Sequence, residues 1–426
     1  MRIVCGGKGF AKHFKMKEKD AIELMRNIDK EINIFGEKAQ FICNEIGDGN
    51  LNYVFRIIDT ATDKSVIIKQ SDVLTRSGQN PLDTDHNRIE AEVLDIQGAI
   101  APRLVPKVYA YCAEMCCVIM EDLRHFENMR HALTAHKIFP HFAEDISGFM
   151  ADTLIKTTDC VLAPREKKRL VKRFVNPDLC DITERLVYTN PYTDYGKDNI
   201  LFAQNEMFLK HELYEDTTLR LEVAKLKEQF KTKAQSLLHG DLHTGSIMIN
   251  QEKTMVIDPE FAFYGPCGYD VGNIVANMIF AWVNAELTMA QGEEKQRFLA
   301  WAEETISQII DLFRVKSMNI LINSTGDIMA KTEGFAEWYI CDILADAAGV
   351  CGLELNRRII GDSKVSDIAD IQNAHTRVLA ERICVLCGKA LILGRYQAFK
   401  NGSDYVDIIK KTRDTVYKLY REVQNS

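Results

Sequence analysis

The sequence predicts an α+β, bilobal chain, in which a small N-terminal lobe built on an antiparallel sheet with one main helix precedes a large, mainly helical lobe. Short apolar runs of strand character, joined by turn signals, occupy most of residues 41–122 and enclose one helical segment. Beyond them, apolar residues recur at helical spacing almost to the C-terminus. A β-hairpin within residues 237–261 is the chief interruption of that pattern, and it carries the most informative motif.

The elements of the small lobe follow one another in a recognisable order. Apolar positions at helical spacing predict a helix over 17–32. Three strands follow, then a helix over about 85–98, then two more strands. The strand segments are FICNEIG, NYVFRIID, KSVIIKQ, KVYAYC and CCVIMED. We therefore assign residues 1–123 to the small lobe, with an N-terminal helical extension over about 1–38, and residues 124–426 to the large lobe.

The large lobe is predicted to consist mainly of eight long helices. Their approximate ranges are 141–159, 164–175, 216–236, 268–285, 293–315, 333–353, 373–398 and 403–424. Residues 190–206 are rich in turn-forming residues and predict an exposed loop or lid.

Length, composition and charge restrict the class of function. A chain of 426 residues with 46% hydrophobic and 27% charged content suits a globular protein with two cores. The net charge of −8 argues against a nucleic-acid partner, which needs a basic face. The twelve cysteines lack a disulfide pattern, and Cys384 and Cys387 lie in a helical segment, so a reducing compartment is indicated. No signal peptide or membrane span is recognisable, and a cytoplasmic protein without a membrane partner is expected.

The hairpin motif LLHGDLHTGSIMINQEKTMVIDPEF places Asp241 on a tight loop and Asp258-Pro259-Glu260 at the end of the following strand. Phosphoryl-transfer enzymes arrange an acceptor-facing carboxylate and a magnesium ligand in this way. Asp241 is the candidate base, and Asp258 and Glu260 are candidate Mg²⁺ ligands. For His239 and His243, bracing of the loop is favoured over a chemical role. A surface hairpin with acidic tips is the alternative.

Lys69 lies on an apolar strand that is predicted to be buried, where an ammonium group needs a negative partner. A nucleotide phosphate could supply that partner, and a helix glutamate, Glu90 rather than Glu92, could hold the lysine. The glycine-containing turn at 47–49 could approach phosphate oxygens. A plain hairpin and a snorkelling surface lysine are the respective alternatives.

Two other segments offer polar groups to a ligand. Glu121, Asp122 and Leu123 end the last strand of the small lobe, where backbone groups of an interlobe hinge could hydrogen-bond an adenine edge. Arg357 and Arg358 follow a helical segment, and one of the two guanidiniums is expected to face the cleft because adjacent side chains point in different directions. An interaction with the helix dipole is the alternative for this pair.

Taken together, the motifs resemble those of 5-methylthioribose kinase, a family of the protein-kinase-like superfamily that also contains aminoglycoside and choline phosphotransferases. The resemblance covers about residues 40–400. The segments that carry it are EIGDGNLNYVF, VIIKQ, VIMEDL, NPDLCDITERLV, LLHGDLHTGSI, VIDPEFAFYGPCGYDVGNIVAN and ELNRRIIG.

The resemblance implies ATP-dependent phosphorylation of the anomeric 1-hydroxyl of 5-methylthioribose, giving 5-methylthioribose 1-phosphate in methionine salvage. It also implies a homodimer. The implied contacts to ATP come from Asn52, Lys69, the adenine-binding residues 121–123 and, together with Mg²⁺, residues 258–260. Asp241 and the Arg357–Arg358 pair are implied at the sugar or the reacting phosphate.

Two positions depart from the wider superfamily. Ser246 stands where an asparagine metal ligand is usual, five residues after Asp241, so it is at most a weak ligand and Glu260 is expected to take over part of that task. Pro259 replaces the phenylalanine of D-F-G, which argues against a flipping switch and against a protein kinase.

Two other readings remain open on the residues alone. The first is a related small-molecule kinase with an aminoglycoside, choline or sugar-amine acceptor, although paired arginines suit a neutral polyol better than a cation. The second is a non-catalytic, nucleotide-binding pseudokinase, against which the presence of Lys69, Asp241 and Asp258 argues.

Overall fold

The computed structural model describes residues 1–46, 52–72 and 83–424, so the predicted glycine-containing turn at 47–49 lies outside the described residues. The chain divides into two compact units. The first comprises Met1–Phe126 and Met255–Ala262, and the second comprises Glu127–Thr254 and Phe263–Ser426. The first unit thus ends three residues beyond the boundary expected at 123, and it includes the segment that carries Asp258 and Glu260.

The first unit is built on a six-stranded sheet with two helices, in strand order β1-β5-β6-β4-β3-β2. Its elements are β1 (Arg2–Val4), α1 (Glu18–Ile32), β2 (Phe41–Ile46), β3 (Asn52–Asp59), β4 (Ser65–Ser71), α2 (Asp85–Ile100), β5 (Val108–Cys112) and β6 (Cys117–Glu121). All five predicted strands and both helices are therefore present. The sheet is antiparallel except that β1, which was not predicted, pairs in parallel with β5.

The core of the first unit places the N-terminal extension on the sheet. Leu24 and Ile28 of α1 are buried in the same apolar cluster as Phe55 of β3 and Ile68 of β4. β4 lies between β3 and β6, and six of its seven residues are buried. The position of Lys69 on this strand explains why its side chain is enclosed.

The second unit is mainly helical, and all eight long helices that were predicted are present. Its α-helices are α3 (Met129–Thr134), α4 (Phe142–Met150), α5 (Pro164–Arg173), α6 (Pro177–Thr183), α7 (Asn190–Thr193), α8 (Glu206–Leu209), α9 (Thr217–Thr232), α10 (Gly268–Thr288), α11 (Glu293–Ser324), α12 (Phe335–Ile360), α13 (Ser366–Ala369), α14 (Ala374–Gly394) and α15 (Gly402–Gln424). Its strands are short: β7 (Glu127–Asn128), β8 (Ser236–Leu237), β9 (Ile247–Ile249), β10 (Thr254–Val256, which continues into the first unit) and β11 (Tyr264–Gly265).

The segment 190–206 differs from the exposed loop that was predicted. Its first four residues form α7, and Asn190 and Tyr192 are buried there. Proline in the first turn of a helix has no amide hydrogen to lose and favours helix initiation, so Pro191, the second residue of α7, is compatible with a helix here. Exposure is confined to later residues such as Tyr195, which is 83% exposed.

All twelve cysteines are free thiols, and Cys384 and Cys387 are buried on α14 as expected for ordinary helix-face residues. Among the helices in the described part of the chain, none has both the length and the apolarity needed to cross a bilayer.

Close approach of α10 to α12 depends on glycine. A Cβ atom on Gly272 would lie 2.5 Å from the backbone oxygen of Ala347 and 2.7 Å from the backbone nitrogen of Cys351. Neither backbone atom can move without displacing α12, whose residues 343–356 are continuously buried. Gly272 is therefore a packing requirement of the central helix pair.

We expect Gly272→Ala to lower the free energy of unfolding by about 1–3 kcal/mol, because overpacking forces the two backbones apart. Calorimetric melting would measure the effect. The matched control is Gly148→Ala in α4, where the nearest atom to the added Cβ is the flexible Nζ of Lys316 at 3.4 Å. An unchanged melting temperature for Gly272→Ala would contradict the packing argument.

Candidate active site

In the second unit, a buried carboxylate braces the loop that carries Asp241. Asp270 of α10 accepts the backbone N–H of His239 at 2.7 Å and that of Gly240 at 3.0 Å. Gly240 has a φ of 85°, a left-handed conformation that glycine adopts without strain. Burial raises the pKa of Asp270 to about 7, against the two N–H donors that lower it. The His239 ring also accepts the Asp241 N–H at 3.3 Å, so His239 braces the loop as predicted.

His243 presents a hydrogen-bond donor to Asp241. Its Nδ1 accepts the backbone N–H of Ser246 at 3.0 Å, which leaves the proton of the neutral ring on Nε2. That Nε2 lies 3.3 Å from Asp241 Oδ2. Burial lowers the pKa of His243, although Asp241 opposes this shift. The Ser246 hydroxyl donates to the backbone oxygen of Asp241 at 3.0 Å, so this hydrogen bond lies within the loop.

Both arginines of the pair lie beside Asp241, which corrects the expectation that only one would face the site. The Nη2 atoms of Arg357 and Arg358 are 3.8 and 4.0 Å from Asp241 Oδ1. The physical reason is Glu354, whose two carboxylate oxygens each hold one guanidinium. Its Oε1 accepts Arg358 Nε at 2.8 Å, and its Oε2 accepts Arg357 Nε.

At Asp241 and Glu354, neighbouring side chains lower the carboxyl pKa more than burial raises it. Burial acts to raise the pKa of Asp241, but His243, Arg358 and Arg357 outweigh it and hold that pKa well below the usual range. Burial likewise opposes ionisation of Glu354, and the two arginines still lower its pKa to about 2. Glu354 is 1% exposed, whereas the Asp241 side chain is 30% exposed. An ionised, solvent-accessible carboxylate therefore lies next to two fixed guanidiniums.

In the first unit, Lys69 lies among carboxylates. Its Nζ donates to Glu90 of α2 at 2.9 Å, which confirms Glu90 rather than Glu92 as its helix partner. Nζ also contacts Asp258 and lies 3.9 Å from Glu260 Oε2. Burial raises the pKa of Glu90, while the ammonium group of Lys69 opposes the shift.

Asn52 and Glu260 belong to the same cluster. Asn52 Nδ2 donates to Glu260 Oε2 at 2.6 Å, and its Oδ1 accepts the Ser71 hydroxyl at 2.5 Å. The Ser71 oxygen lies 3.0 Å from His86 Nε2, so a chain of polar contacts fixes Asn52. The amide of Asn52 therefore orients one oxygen of Glu260.

Three carboxylates of the first unit converge in a way that suits a divalent cation. One oxygen each of Glu90, Asp258 and Glu260 lies within 4.8 Å of the other two. Asp258 has a φ of 74°, and a strained backbone at such a position often accompanies a functional site. Pro259 follows it, and the Pro259 carbonyl accepts the Ala262 N–H at 3.2 Å.

The side chains at the end of β6 have structural partners. Asp122 Oδ2 lies 2.9 Å from Arg56 Nε in an ion pair and accepts the Ser65 hydroxyl at 2.7 Å, and its side chain is 1% exposed. Glu121 Oε2 accepts the Lys107 N–H at 3.1 Å, and Leu123 is buried. Because these side chains are occupied within the unit, any contact that they make to a nucleotide is left to their backbone groups.

Sequence reasoning passed over two residues that organise the second unit. Glu354 and Asp270 both lie within motifs that were noted, but neither was given a role. The spacing of Glu354, three and four residues before the arginine pair, was a usable signal, because side chains at those offsets meet on one helix face. Asp270 offered no local signal, since its partners lie about thirty residues earlier in the chain.

The sequence of the chain is similar to those of known phosphotransferases. The model of a family described as the phosphotransferase enzyme family matches residues 42–304. A methylthioribose kinase from Bacillus pumilus (strain SAFR-032) is 36% identical over 383 residues, covering 89% of this chain and 94% of the relative. A methylthioribose kinase from Geobacillus sp. (strain WCH70) is 38% identical over 366 residues, covering 85% and 89%.

Solved structures give weaker likenesses. Choline kinase from Cryptosporidium parvum Iowa II has a TM-score of 0.46 and 12% identity, covering 96% of this chain and 97% of that one. Ethanolamine kinase from Plasmodium vivax has a TM-score of 0.45 and 14% identity, covering 87% and 91%. The sequence matches alone carry the assignment: the chain belongs to the methylthioribose kinases, within the phosphotransferase enzyme family.

Proposed function

We propose that the protein transfers the terminal phosphoryl group of ATP to the anomeric 1-hydroxyl of 5-methylthioribose, forming 5-methylthioribose 1-phosphate. The observation that carries the proposal is the ionised Asp241 carboxylate held between His243 and two arginines. We assign this reaction to methionine salvage in the cytoplasm. The enzyme is proposed to act as a homodimer.

Asp241 orients the acceptor and receives its proton. The terminal phosphoryl group leaves the bridging oxygen of ADP and bonds to the acceptor oxygen, and the hydroxyl proton passes to Asp241. Since its pKa is low, Asp241 is a weak base early in the reaction and accepts the proton late, as a loose transition state requires. A hemiacetal hydroxyl, which is more acidic than an ordinary alcohol, suits such a base.

The charge around Asp241 favours a neutral acceptor over a cationic one. Arg357 and Arg358 balance the charges of Asp241 and Glu354, so no net negative charge remains to attract a choline or an aminoglycoside. The guanidiniums can fork onto sugar hydroxyls or onto the transferred phosphoryl group.

In the first unit, Lys69 is assigned to the nucleotide phosphates and is held for that task by Glu90. Asn52 is assigned to the nucleotide as well, either directly or through the Glu260 oxygen that it orients. Backbone groups of residues 121–123 are assigned to the adenine edge.

The carboxylates of the first unit fit Mg²⁺. Glu90, Asp258 and Glu260 supply hard oxygen donors with three negative charges, which Lys69 reduces to two. Glu90 is 1% exposed and engaged by Lys69, so Asp258 and Glu260 are assigned as ligands. When bound, the ion neutralises charge on the phosphates during transfer.

We expect Asp241→Asn to lower kcat by about 10²–10⁴-fold, because the amide can neither accept the proton nor attract the hydroxyl hydrogen as a carboxylate does. A coupled ADP-release assay with Mg-ATP and 5-methylthioribose would measure it, with kanamycin, choline and ribose as competing acceptors. Unchanged nucleotide affinity would serve as the control for folding. Faster turnover of choline or kanamycin than of methylthioribose would overturn the acceptor assignment.

Chelation of divalent ions is expected to abolish turnover, and Mg²⁺ to restore it. Asp258→Asn should raise the Mg²⁺ concentration for half-maximal activity by roughly tenfold or more, because a charged ligand is lost. The control is Asp63→Asn, a surface carboxylate that pairs with Arg124 in the same unit. An identical Mg²⁺ dependence in Asp258→Asn and wild type would remove Asp258 from the metal site.

Glu354→Gln should cost roughly 3 kcal/mol of stability at neutral pH, because a buried charge that holds two arginines is lost. The pKa of this carboxyl is lowered in the folded state, so its contribution is present above the unfolded value of about 4.5 and is lost as pH falls toward 2. The KM for the acceptor should also rise. Urea unfolding and steady-state kinetics would be compared with Glu337→Gln, a half-exposed carboxylate on the same helix. Equal stability of the two variants would refute the role given to Glu354.

A further inference from the structure

Arg130, in α3, is a third guanidinium beside the loop that carries Asp241. Its Nη2 donates to Asn277 Oδ1 at 3.1 Å, and its Nε donates to Thr244 Oγ1 at 3.5 Å. A Cβ atom at position 245 would lie 3.5 Å from its Cζ and 2.8 Å from the His243 ring. The absence of a side chain at Gly245 therefore allows the guanidinium and the imidazole to approach the same stretch of backbone.

The charge of Arg130 acts on the acceptor side of the site. Burial lowers the pKa of Arg130 and Arg358 lowers it further, whereas Asp367, Glu354 and Asp241 act in the opposite direction. These groups are therefore within electrostatic range of one another. The arginine also adds to the effect of burial in lowering the pKa of His243.

Arg130 differs from the neighbouring arginine pair because, among the described residues, no carboxylate forms an ion pair with it. Glu354 engages both Arg357 and Arg358, while Arg130 donates hydrogen bonds to the neutral groups of Thr244 and Asn277. Over residues 1–46, 52–72 and 83–424, no carboxylate oxygen lies within 4.0 Å of it. A partly exposed guanidinium that makes no close ion pair can receive an anion as ligand.

Asp367 acts electrostatically on Arg130, although no ion pair within 4.0 Å joins the two side chains among the described residues. The side chain is almost fully buried, at 2% exposure, and its Oδ2 has no hydrogen-bond partner in the described parts of the structure. Asp367 therefore compensates part of the Arg130 charge from beyond ion-pair distance, and the guanidinium keeps no direct anionic contact among the described residues.

We propose that Arg130 binds the phosphate group that the reaction delivers to the acceptor. The inference rests on the proposed function, in which a neutral sugar enters and a phosphate monoester leaves. The sugar brings no anion of its own, so the anion available to Arg130 is the phosphoryl group that ATP supplies and that the product retains. Arg130 is therefore assigned to the transferred phosphoryl group and to the product, while Asp241 serves the hydroxyl.

The experiment measures the dissociation constants of 5-methylthioribose, 5-methylthioribose 1-phosphate and inorganic phosphate by calorimetry, without nucleotide. We expect Arg130→Gln to weaken binding of the phosphate ester and of inorganic phosphate by roughly tenfold to hundredfold, with less than about a threefold change for the free sugar. A purely structural role would weaken all three together or none, and either result would overturn the proposal.

Two further variants keep the test decisive. Arg130→Lys retains the charge without the fork, so it should fold even if Arg130→Gln does not, and it should weaken phosphate binding by a smaller factor than loss of the charge. Phosphate binding equal to wild type, or sugar binding weakened equally, would count against the proposal. Arg382→Gln is the matched control, since this arginine also donates to a neutral group, Asn205 Oδ1, and lies over the Phe208 ring.

Failure of the proposed function has a different signature. Wild type that turns over no methylthioribose, while Arg130→Gln still weakens binding of inorganic phosphate, would refute the acceptor and leave the phosphate site standing. Normal turnover by wild type, with phosphate binding unaffected by Arg130→Gln, would refute the phosphate site alone.

Discussion

The ion cluster around Glu354 is the interaction on which the surroundings of Asp241 depend. Two guanidiniums on adjacent residues repel each other, and that repulsion is only weakly screened where both are largely buried. Glu354 removes the difficulty because it precedes them by three and four residues, which places all three side chains on one helix face. Each carboxylate oxygen holds one guanidinium, so both can stay near Asp241 without forming a close ion pair with it.

A related distribution of charge governs the first unit. Lys69 contacts two carboxylates that differ in exposure: the Glu90 side chain is 1% exposed, while that of Asp258 is 42% exposed. The buried partner can only fix the lysine, whereas the accessible one can also reach a ligand. In both units, then, a fully buried acid anchors the basic group and a more exposed acid beside it is available for chemistry.

What the sequence predicted correctly were features with a local signal. Long helices such as α10 and α14 have many turns of apolar spacing, and β3 and β4 have clear turn signals at their ends. β1 has three residues and escaped notice, because a period of two cannot be recognised over so short a run. α7 carries a proline in its first turn, within the segment 190–206 whose turn-forming residues predicted a loop.

The residues of the candidate site also differ in whether a local sequence signal identified them. The HGD motif and the strand lysine identified Asp241 and Lys69, and the helix after β4 supplied Glu90. What no local pattern contained was the contact of Asp270 with residues thirty positions earlier, or the approach of Arg130 to Asn277 across 147 positions. Such contacts depend on how α3 and α10 pack, and one sequence does not encode that packing in any short window.

Ser246 stands at a motif position where an asparagine metal ligand is usual, and its hydroxyl has a different role here. An asparagine at this position could extend an amide oxygen toward a cation, but the shorter serine hydroxyl donates to the backbone oxygen of Asp241 at 3.0 Å. Its oxygen also lies 3.2 Å from His243 Nδ1, so the group helps to fix the loop. Because the Ser246 hydroxyl is engaged within the loop of the second unit, we assign the metal-binding task to carboxylates of the first unit. The carboxylate of Glu260, oriented by Asn52, has the charge and the hard oxygen donors that this task requires.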